Sequence, residues 1–315
     1  MDPKTSQKPQ VVVVGSCNMD MSIQGQTIPR VGETVIGGQF VMASGGKGAN
    51  QAIAAARLGA EVFLVSRLGD DVFGKQLLDN YRKDGICTEK VKVTEEVSTG
   101  IALILVDPQG ENLISVAAGA NACLTPQDAQ EALETIGPFS VLLLQLEVPM
   151  ETVVAAVKKA KQLGATVILD PAPATSLPAE LLQYVDILTP NEIEAAVLTG
   201  LDKDTPDFAP RAAQRLREMG AANVVITLGS EGCHVVTSDG SSFTPAHKVE
   251  AKDTTAAGDA FNGALGAAIA TGQSLCSAVE GIASAAAALS VTRHGAQPSL
   301  PTADEVARFL ESLKK

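Results

Sequence analysis

Short β-branched runs alternate along this chain with alanine-rich stretches of helical composition that close in glycine, and few folds accommodate that alternation. Strands buried on both faces read as continuous apolar runs, and an intervening helix returns the chain so that successive strands lie parallel. VVVV (11–14) opens the pattern. A helix is expected over about 49–58 with Gly59 as its stop, EVFLVS (61–66) returns as a strand, and VFGKQLLDNYRK carries the next helix to Gly85. Thr125, Pro126 and Asp128 supply a cap, a proline at the first helical position and an acid at the third. SVLLLQL (140–146) then reads as a buried strand, and ATVILD, VDILTP and NVVITLG give three more. The expectation is an α/β fold with a mainly parallel sheet and helices on both faces.

Two segments break the rhythm. Residues 99–116, TGIALILVDPQGENLISV, are two extended runs around an Asp-Pro-Gln-Gly turn, and residues 23–40 are rich in glycine and β-branched residues without a helical period. They predict strands of a separate small sheet, a lid over the strand ends where open α/β sheets hold their ligands, or else an extension of the main sheet's edge. Residues 1–10 read as a flexible N-terminus and 11–315 as one principal domain.

A chain of 315 residues with 45% hydrophobic content can build one large core. Its formal net charge of −12 disfavours nucleic acid and anionic membrane surfaces as partners, since phosphate backbones reward Lys and Arg. Cys17, Cys87, Cys123, Cys233 and Cys276 are odd in number and lack CxxC spacing, so buried free thiols are expected rather than disulfides or zinc. MDPKTSQKPQ has no apolar leader region and no uninterrupted apolar span of membrane length follows, which predicts a soluble, cytoplasmic protein.

DTTAAGDAF (253–261) carries the strongest chemical signal. Ala256, Ala257 and Gly258 leave backbone amides open to a ligand just where FNGALGAAIA starts a helix, and unpaired amides at a helix N-terminus attract anions. Asp259 in that first turn either opposes the helix dipole or acts on a substrate beside the bound anion. GSCNMD follows the first strand without the G-x-G-x-x-G of a dinucleotide site, and its turn offers Asn18 and Asp20 to hydroxyls instead. SGGKGANQA (44–52) is no Walker A loop, because Gly48 follows Lys47 where Ser or Thr would hold magnesium. Lys47 and Asn50 at a helix start, with Glu147 just past a buried strand, suit a small polyol. ILTPNEIEAA places Asn191 and Glu194 at a strand-to-helix junction, and ITLGSEG (226–232) runs a strand into a glycine turn suited to phosphate oxygens.

Over residues 11–312 the chain resembles the sugar-kinase family of ribokinase, fructokinase and adenosine kinase: GGKGANQA, TPNEIEA, ITLGSEG, DTTAAGDAF and VTRHGAQPS occur together and in the family order. The resemblance implies a doubly wound α/β domain with a small β lid, a homodimer formed through that lid, and transfer of the ATP γ-phosphoryl group to a sugar hydroxymethyl group. D-ribose, phosphorylated at its 5-hydroxyl, is the expected acceptor. Carried over residue by residue, it makes Asn18, Met19, Asp20, Gly46, Lys47, Gly48, Ala49, Asn50, Glu147 and Asp259 the sugar site. Asp259 becomes the base, with Ala256, Ala257 and Gly258 as the anion hole. Asn191, Thr227, Leu228, Gly229, Ser230, Glu231 and Gly232 fall at the ATP site, with Gly258 and Asp259 beside them. Glu194 matches an acid that organises Mg2+ through water, and Asp253, Thr255, Ser290, Arg293, Gly295 and Ser299 match a K+ site.

Many family members read Gly-Ala-Gly-Asp where this chain has Ala256 first, and the methyl narrows the permitted backbone. Other acceptors keep the same fold: fructose, a deoxyribose, or a nucleoside. A nucleoside needs an apolar wall, and the chain has no Trp and only two Tyr and eight Phe. A sugar or nucleotide sensor that binds without turnover is the reading from another class, and the intact Asp259 opposes it.

Overall fold

The computed structural model of the chain describes residues 9–178 and 180–314. The flexible terminus expected over 1–10 lies outside the described residues except for Pro9 and Gln10, and Gln10 already pairs with Glu61 as the first residue of strand β1 (Gln10–Val14).

After β1 the chain leaves the main layer for β2 (Asn18–Gln24) and β3 (Gln39–Gly45), and returns through helix α1 (Lys47–Arg57) to β4 (Glu61–Gly69). Helix α2 (Val72–Lys83) leads to the edge strand β5 (Val91–Thr94), and β6 (Gly100–Val106) and β7 (Asn112–Ala117) form a hairpin. Helix α3 (Pro126–Ile136), β8 (Val141–Leu144), α4 (Met150–Gln162), β9 (Thr166–Leu169) and β10 (Ile187–Leu188) rebuild the main layer. Helices α5 (Glu192–Thr199) and α6 (Phe208–Glu218) precede β11 (Asn223–Thr227), and β12 (Gly232–Thr237) with β13 (Gly240–Pro245) closes the far edge. The helices α7 (Ala257–Ala270), α8 (Leu275–Ala278), α9 (Ser284–Ser290) and α10 (Ala303–Ser312) complete the chain.

The large sheet runs β13-β12-β11-β10-β9-β8-β1-β4-β5, parallel from β11 to β5 and antiparallel only at its β12–β13 edge. Alternation along β1 explains why both faces are covered. Val11 and Val13 pack with Ile53 of α1, Leu265 of α7 and Ala285 of α9, while Val12 and Val14 pack with Leu133 of α3, Val157 of α4 and Leu216 of α6. The fold is doubly wound. At α3 the expected cap forms completely: Thr125 accepts from the Asp128 amide, and Asp128 returns the bond to the Thr125 amide.

A separate four-stranded sheet, β3-β2-β6-β7, stands beside the main one. The hairpin expected over 99–116 is β6 and β7, its turn held by Asp107 accepting from the amides of Gln109 and Glu111. The strand expected over 23–40 is corrected: strands flank that segment, and its glycines and prolines leave most of it without ladder bonds. Consequently Asn18 and Asp20 lie on a strand of the small sheet, rather than in a glycine turn. The strand expected over 140–146 keeps only 141–144, because the chain turns out of the sheet at Gln145. The thiols are all free, but only Cys17 and Cys233 are buried; Cys87 and Cys123 are partly covered and Cys276 is exposed, correcting the expectation of five buried thiols. Among the described residues no helix is long and apolar enough to cross a membrane.

Candidate active site

The C-terminal ends of the parallel strands converge on a cavity of about 200 Å3. Lys47 of α1, Asp170 after β9, and Asn191 and Glu194 at the start of α5 line it, together with Thr227 of β11 and Ala256, Ala257, Gly258 and Asp259 at the start of α7. The larger groove of about 550 Å3 is an open surface feature along α6, lined by Asp207, Arg211 and Arg215, and lies apart from these residues. The structure thus brings the proposed base, the anion hole and part of each substrate set to one place.

Local sequence explains how. Gly46 precedes α1 at φ 90°, and a Cβ there would meet the Asn18 nitrogen at 2.7 Å, so only glycine lets α1 start against β2. A Cβ on Gly48 would meet the Gly15 carbonyl carbon at 2.6 Å, and one on Gly45 would strike Asp20. These glycines therefore serve close packing as well as any ligand. Glu147 caps the same helix: its Oε2 accepts from the Lys47 amide at 3.1 Å and from the Ser16 hydroxyl. Met19 and Ala49, named with the sugar site, have their side chains in the core. Asn18 Oδ1 accepts from Asn121 Nδ2 at 2.7 Å, which fixes its amide.

Asp259 is buried and held on both oxygens. Asn50 Nδ2 donates to Oδ2 at 2.8 Å and Gln51 Nε2 to Oδ1 at 3.2 Å. Burial pushes its carboxyl above the usual carboxylate range, against the pull of the Lys47 ammonium and these two amides. Asp170 is raised further by burial and by Asp259 and Glu194 nearby. Lys47 is raised too: burial disfavours its charge, but Asp259, Asp170, Glu147 and Glu194 outweigh that cost. Burial, Glu147 and Asp259 push Asp20 up to about 7.

The turn expected to form an anion hole corrects the expectation of three open amides, since the Ala257 amide donates to the Thr254 carbonyl at 3.2 Å, and its entry is strained. Ala256 is left-handed at φ 61°, ψ 16°, a conformation that costs an L-residue roughly 1–2 kcal/mol and glycine nothing. Asn262 braces the turn from below, its Nδ2 donating to the Gly258 carbonyl at 3.0 Å and its Oδ1 accepting from Thr189 at 2.7 Å.

Asn191 and Glu194 form a reciprocal capping box on α5, with bonds of 2.8 and 2.9 Å, so each has a structural duty beside any ligand duty. Thr227 ends β11, and Leu228, Gly229, Ser230, Glu231 and Gly232 follow as a tight turn closed by the Leu228 amide on the Gly232 carbonyl. Those five residues lie beyond the cavity lining. Among the described residues no cluster of three or more His, Cys, Asp or Glu forms a metal site, so a magnesium ion would rely on substrate phosphates with Glu194.

At the expected cation site, Asp253 Oδ1 accepts from the Thr255 amide at 2.9 Å and Oδ2 from the Gly295 amide at 2.8 Å, tying the two loops together. Ser290 and Ser299 are buried, with hydroxyls donating to the carbonyls of Ala287 and Ala296. The Arg293 guanidinium instead pairs with Glu305 at 2.7 Å, leaving its backbone as the only part suited to a cation. An oxygen-only donor set with one carboxylate is of the kind that hard cations take.

Sequence reading passed over Gln51, Asp170, Asn262 and Gln297. Asp170 was signalled by its position: a carboxylate ending the strand run ATVILD emerges at the ligand-binding edge of a parallel sheet. Gln51 stands one helical turn after Lys47 and so shares its face. Gln297, which donates to Asn50 Oδ1 at 3.2 Å, carries no local signal.

The family described as pfkB family carbohydrate kinase matches residues 8–303. A ribokinase of Haemophilus influenzae is 42% identical over 301 residues, which cover 96% of this chain and 98% of that protein. A deoxyribokinase of Salmonella typhi is 36% identical, covering 95% and 98%. The solved structure of Arabidopsis thaliana ribokinase complexed with ribose and ATP superposes with a TM-score of 0.87 at 31% identity, covering 96% of this chain and 99% of that one.

Proposed function

The chain belongs to the pfkB family of carbohydrate kinases, and we propose that it transfers the γ-phosphoryl group of ATP to the 5-hydroxyl of D-ribose, giving ribose 5-phosphate. The observation that carries this reading is the placing of a buried, doubly held carboxylate, Asp259, on the first turn of α7 beside the open amides of Ala256 and Gly258, the Ala257 amide between them being engaged by the Thr254 carbonyl at 3.2 Å. The relatives named ribokinase, and one solved with ribose and ATP, supply the choice of substrates.

In this reading Asp20, Asn18, Lys47, Asn50 and Glu147 hold the sugar hydroxyls, and Asp259 takes the proton of the attacking hydroxyl as the oxygen–phosphorus bond forms. Of the residues expected to form the anion hole, Ala256 and Gly258 direct amides at the charge that develops on the migrating group, while the Ala257 amide closes the turn on the Thr254 carbonyl. Lys47 sits among four carboxylates with its charge secured, and it faces the same cavity. Asn191, Thr227 and the turn through Gly232 hold the nucleotide. Mg2+ bound with ATP and set by Glu194 through water would neutralise phosphate charge. Potassium held by Asp253, Thr255, Ser290, Arg293, Gly295 and Ser299 would brace the anion-hole backbone.

The small sheet acts as the lid and as the homodimer contact. Ile23, Phe40, Met42 and Leu103 are exposed on it, a contiguous apolar face of the kind that marks an interface. A cytoplasmic enzyme supplied with ATP suits all of these features.

A coupled ADP-release assay with ribose, deoxyribose, fructose and adenosine tests the reading. Ribose should give the highest kcat/KM. The deoxyribokinase relative supports deoxyribose as the second candidate, and a higher kcat/KM for deoxyribose than for ribose would select it.

A further inference from the structure

One buried amide holds two buried acids. Gln51 Nε2 donates to Asp170 Oδ2 at 2.8 Å and to Asp259 Oδ1 at 3.2 Å, using both of its protons. Its Oε1 accepts from Gln145 Nε2 at 2.6 Å. The second bond settles the orientation of the first, since a reversed Gln51 would turn its oxygen toward two carboxylates and its NH2 toward a donor. All four side chains belong to buried residues. Gln145 itself leaves Oε1 without a partner, wedged where a Cβ on Gly15 would come within 2.1 Å.

We propose that Gln51 is a positioning residue for the phosphoryl-transfer base: oriented by Gln145, it aims the Asp259 carboxylate and keeps it ionised beside the second buried acid, Asp170. The inference rests on Asp259 being that base. Asn50 supports the other oxygen of Asp259, so Gln51 acts on the side facing Asp170. The charged groups around Asp259 are Lys47 from α1, Asp170 after β9, Glu147 after β8, Glu194 of α5 and Asp20 of β2. Lys47 is the lone cation among them, and without the Gln51 donor the balance tips toward protonating Asp259.

The test is the pH profile of kcat/KM for the sugar in the wild type, Gln51→Met, Gln145→Met and Asp170→Asn, with Asp259→Asn alongside. Losing a donor to a carboxylate raises its pKa, so Gln51→Met should move the acid limb up by about one pH unit and lower kcat about tenfold, with KM within about threefold. Gln145→Met should shift the limb the same way by less. Asp170, raised further than Asp259, still holds its proton as Asp259 titrates, so Asp170→Asn keeps a neutral acceptor for the Gln51 amide and should leave the limb in place. A purely structural network would not move the limb in the two glutamine variants and spare it in Asp170→Asn.

A wild-type profile in Gln51→Met, or a shift in one common direction for all three, overturns the proposal. If Gln51→Met does not fold by circular dichroism, Gln145→Met carries the test, and an unmoved limb there overturns it equally. Should Asp259→Asn keep its activity within threefold, the base assignment itself fails, an outcome distinct from a lost Asp259→Asn with unshifted Gln variants.

Discussion

Asn50 and Asp259, 209 residues apart in sequence, meet across a 2.8 Å bond from the amide Nδ2 to Oδ2. That contact joins the glycine-rich start of α1 to the first turn of α7 and fixes the Asp259 carboxylate in the cavity it shares with Lys47. Helix α1 packs directly along α7, where a Cβ on Gly263 would strike the Gln51 carbonyl at 2.5 Å, so the approach depends on that glycine.

Replacing Asp259 with Asn keeps the side-chain volume and removes the proton acceptor. A positioned general base contributes about 10²- to 10⁴-fold, so kcat should fall by that order while KM for ribose changes little. Steady-state kinetics with ADP detection check it. The base must be ionised to act, and burial lifts its pKa; activity should therefore decline on acidification from a point above the usual carboxylate range.

Asp20 and Glu147 separate in the structure in a way their sequence positions do not reveal. Glu147→Ala strips the acceptor from the Lys47 amide and the Ser16 hydroxyl, and should cost about 1–2 kcal/mol of stability as well as raising KM for ribose. Asp20→Ala should raise KM for ribose far more than KM for ATP. Wild-type KM should also depend on pH through Asp20. Hydroxyl donors favour its ionised form, so ribose binding lowers its pKa from the free value of about 7; KM should be flat above that pH and rise below it. Thermal unfolding and a KM series from pH 5.5 to about 8.5 check both residues, and a flat series removes Asp20 from the sugar site.

Ala256 offers a stability test that leaves the chemistry alone. Glycine removes the left-handed strain but adds unfolded-state entropy, and the two terms leave a net gain of up to about 1 kcal/mol for Ala256→Gly, with activity kept. Ala256→Val, β-branched at positive φ, should lose both stability and turnover. Melting temperature and kcat measured on the same samples decide this.

The βαβ alternation and the motif loops were legible because each is local: periodicity, caps and glycine stops lie within a few residues of what they control. The α3 cap and the hairpin over 99–116 formed as read. The segment 23–40 was misread because β-branched content resembles a strand even where glycines and prolines interrupt the ladder, and no local signal says that Asn18 already belongs to the small sheet. Glu147 was seen as a ligand but not as a helix cap, a role that needs α1 brought 100 residues along the chain to meet it. Gln51, Gln145 and Gln297 were invisible for a related reason. A glutamine becomes a positioning group only through its burial and its partners, both of which are tertiary.

The cation response tests the loop pair that Asp253 joins. Its two oxygens accept from the Thr255 and Gly295 amides, while the Lys252 and Asp253 amides both donate to the Val291 carbonyl, so the segment leading into the anion hole is stitched to the 290–299 loop. From that loop Gln297 reaches Asn50, which holds Asp259. An ion bound between the loops thus has a physical route to both the anion-hole backbone and the base without touching ATP. Potassium should raise kcat at saturating ATP and ribose, and sodium should replace it poorly because a smaller ion draws its carbonyl ligands inward. Asp253→Ala should weaken the response. Titrating KCl against tetramethylammonium chloride at constant ionic strength, with magnesium in excess, separates a specific ion from general screening, which acts on exposed charges regardless of the cation. A flat response would mean that Asp253 serves only to stitch the loops, and in that case Asp253→Ala should lower the melting temperature and kcat equally in either salt.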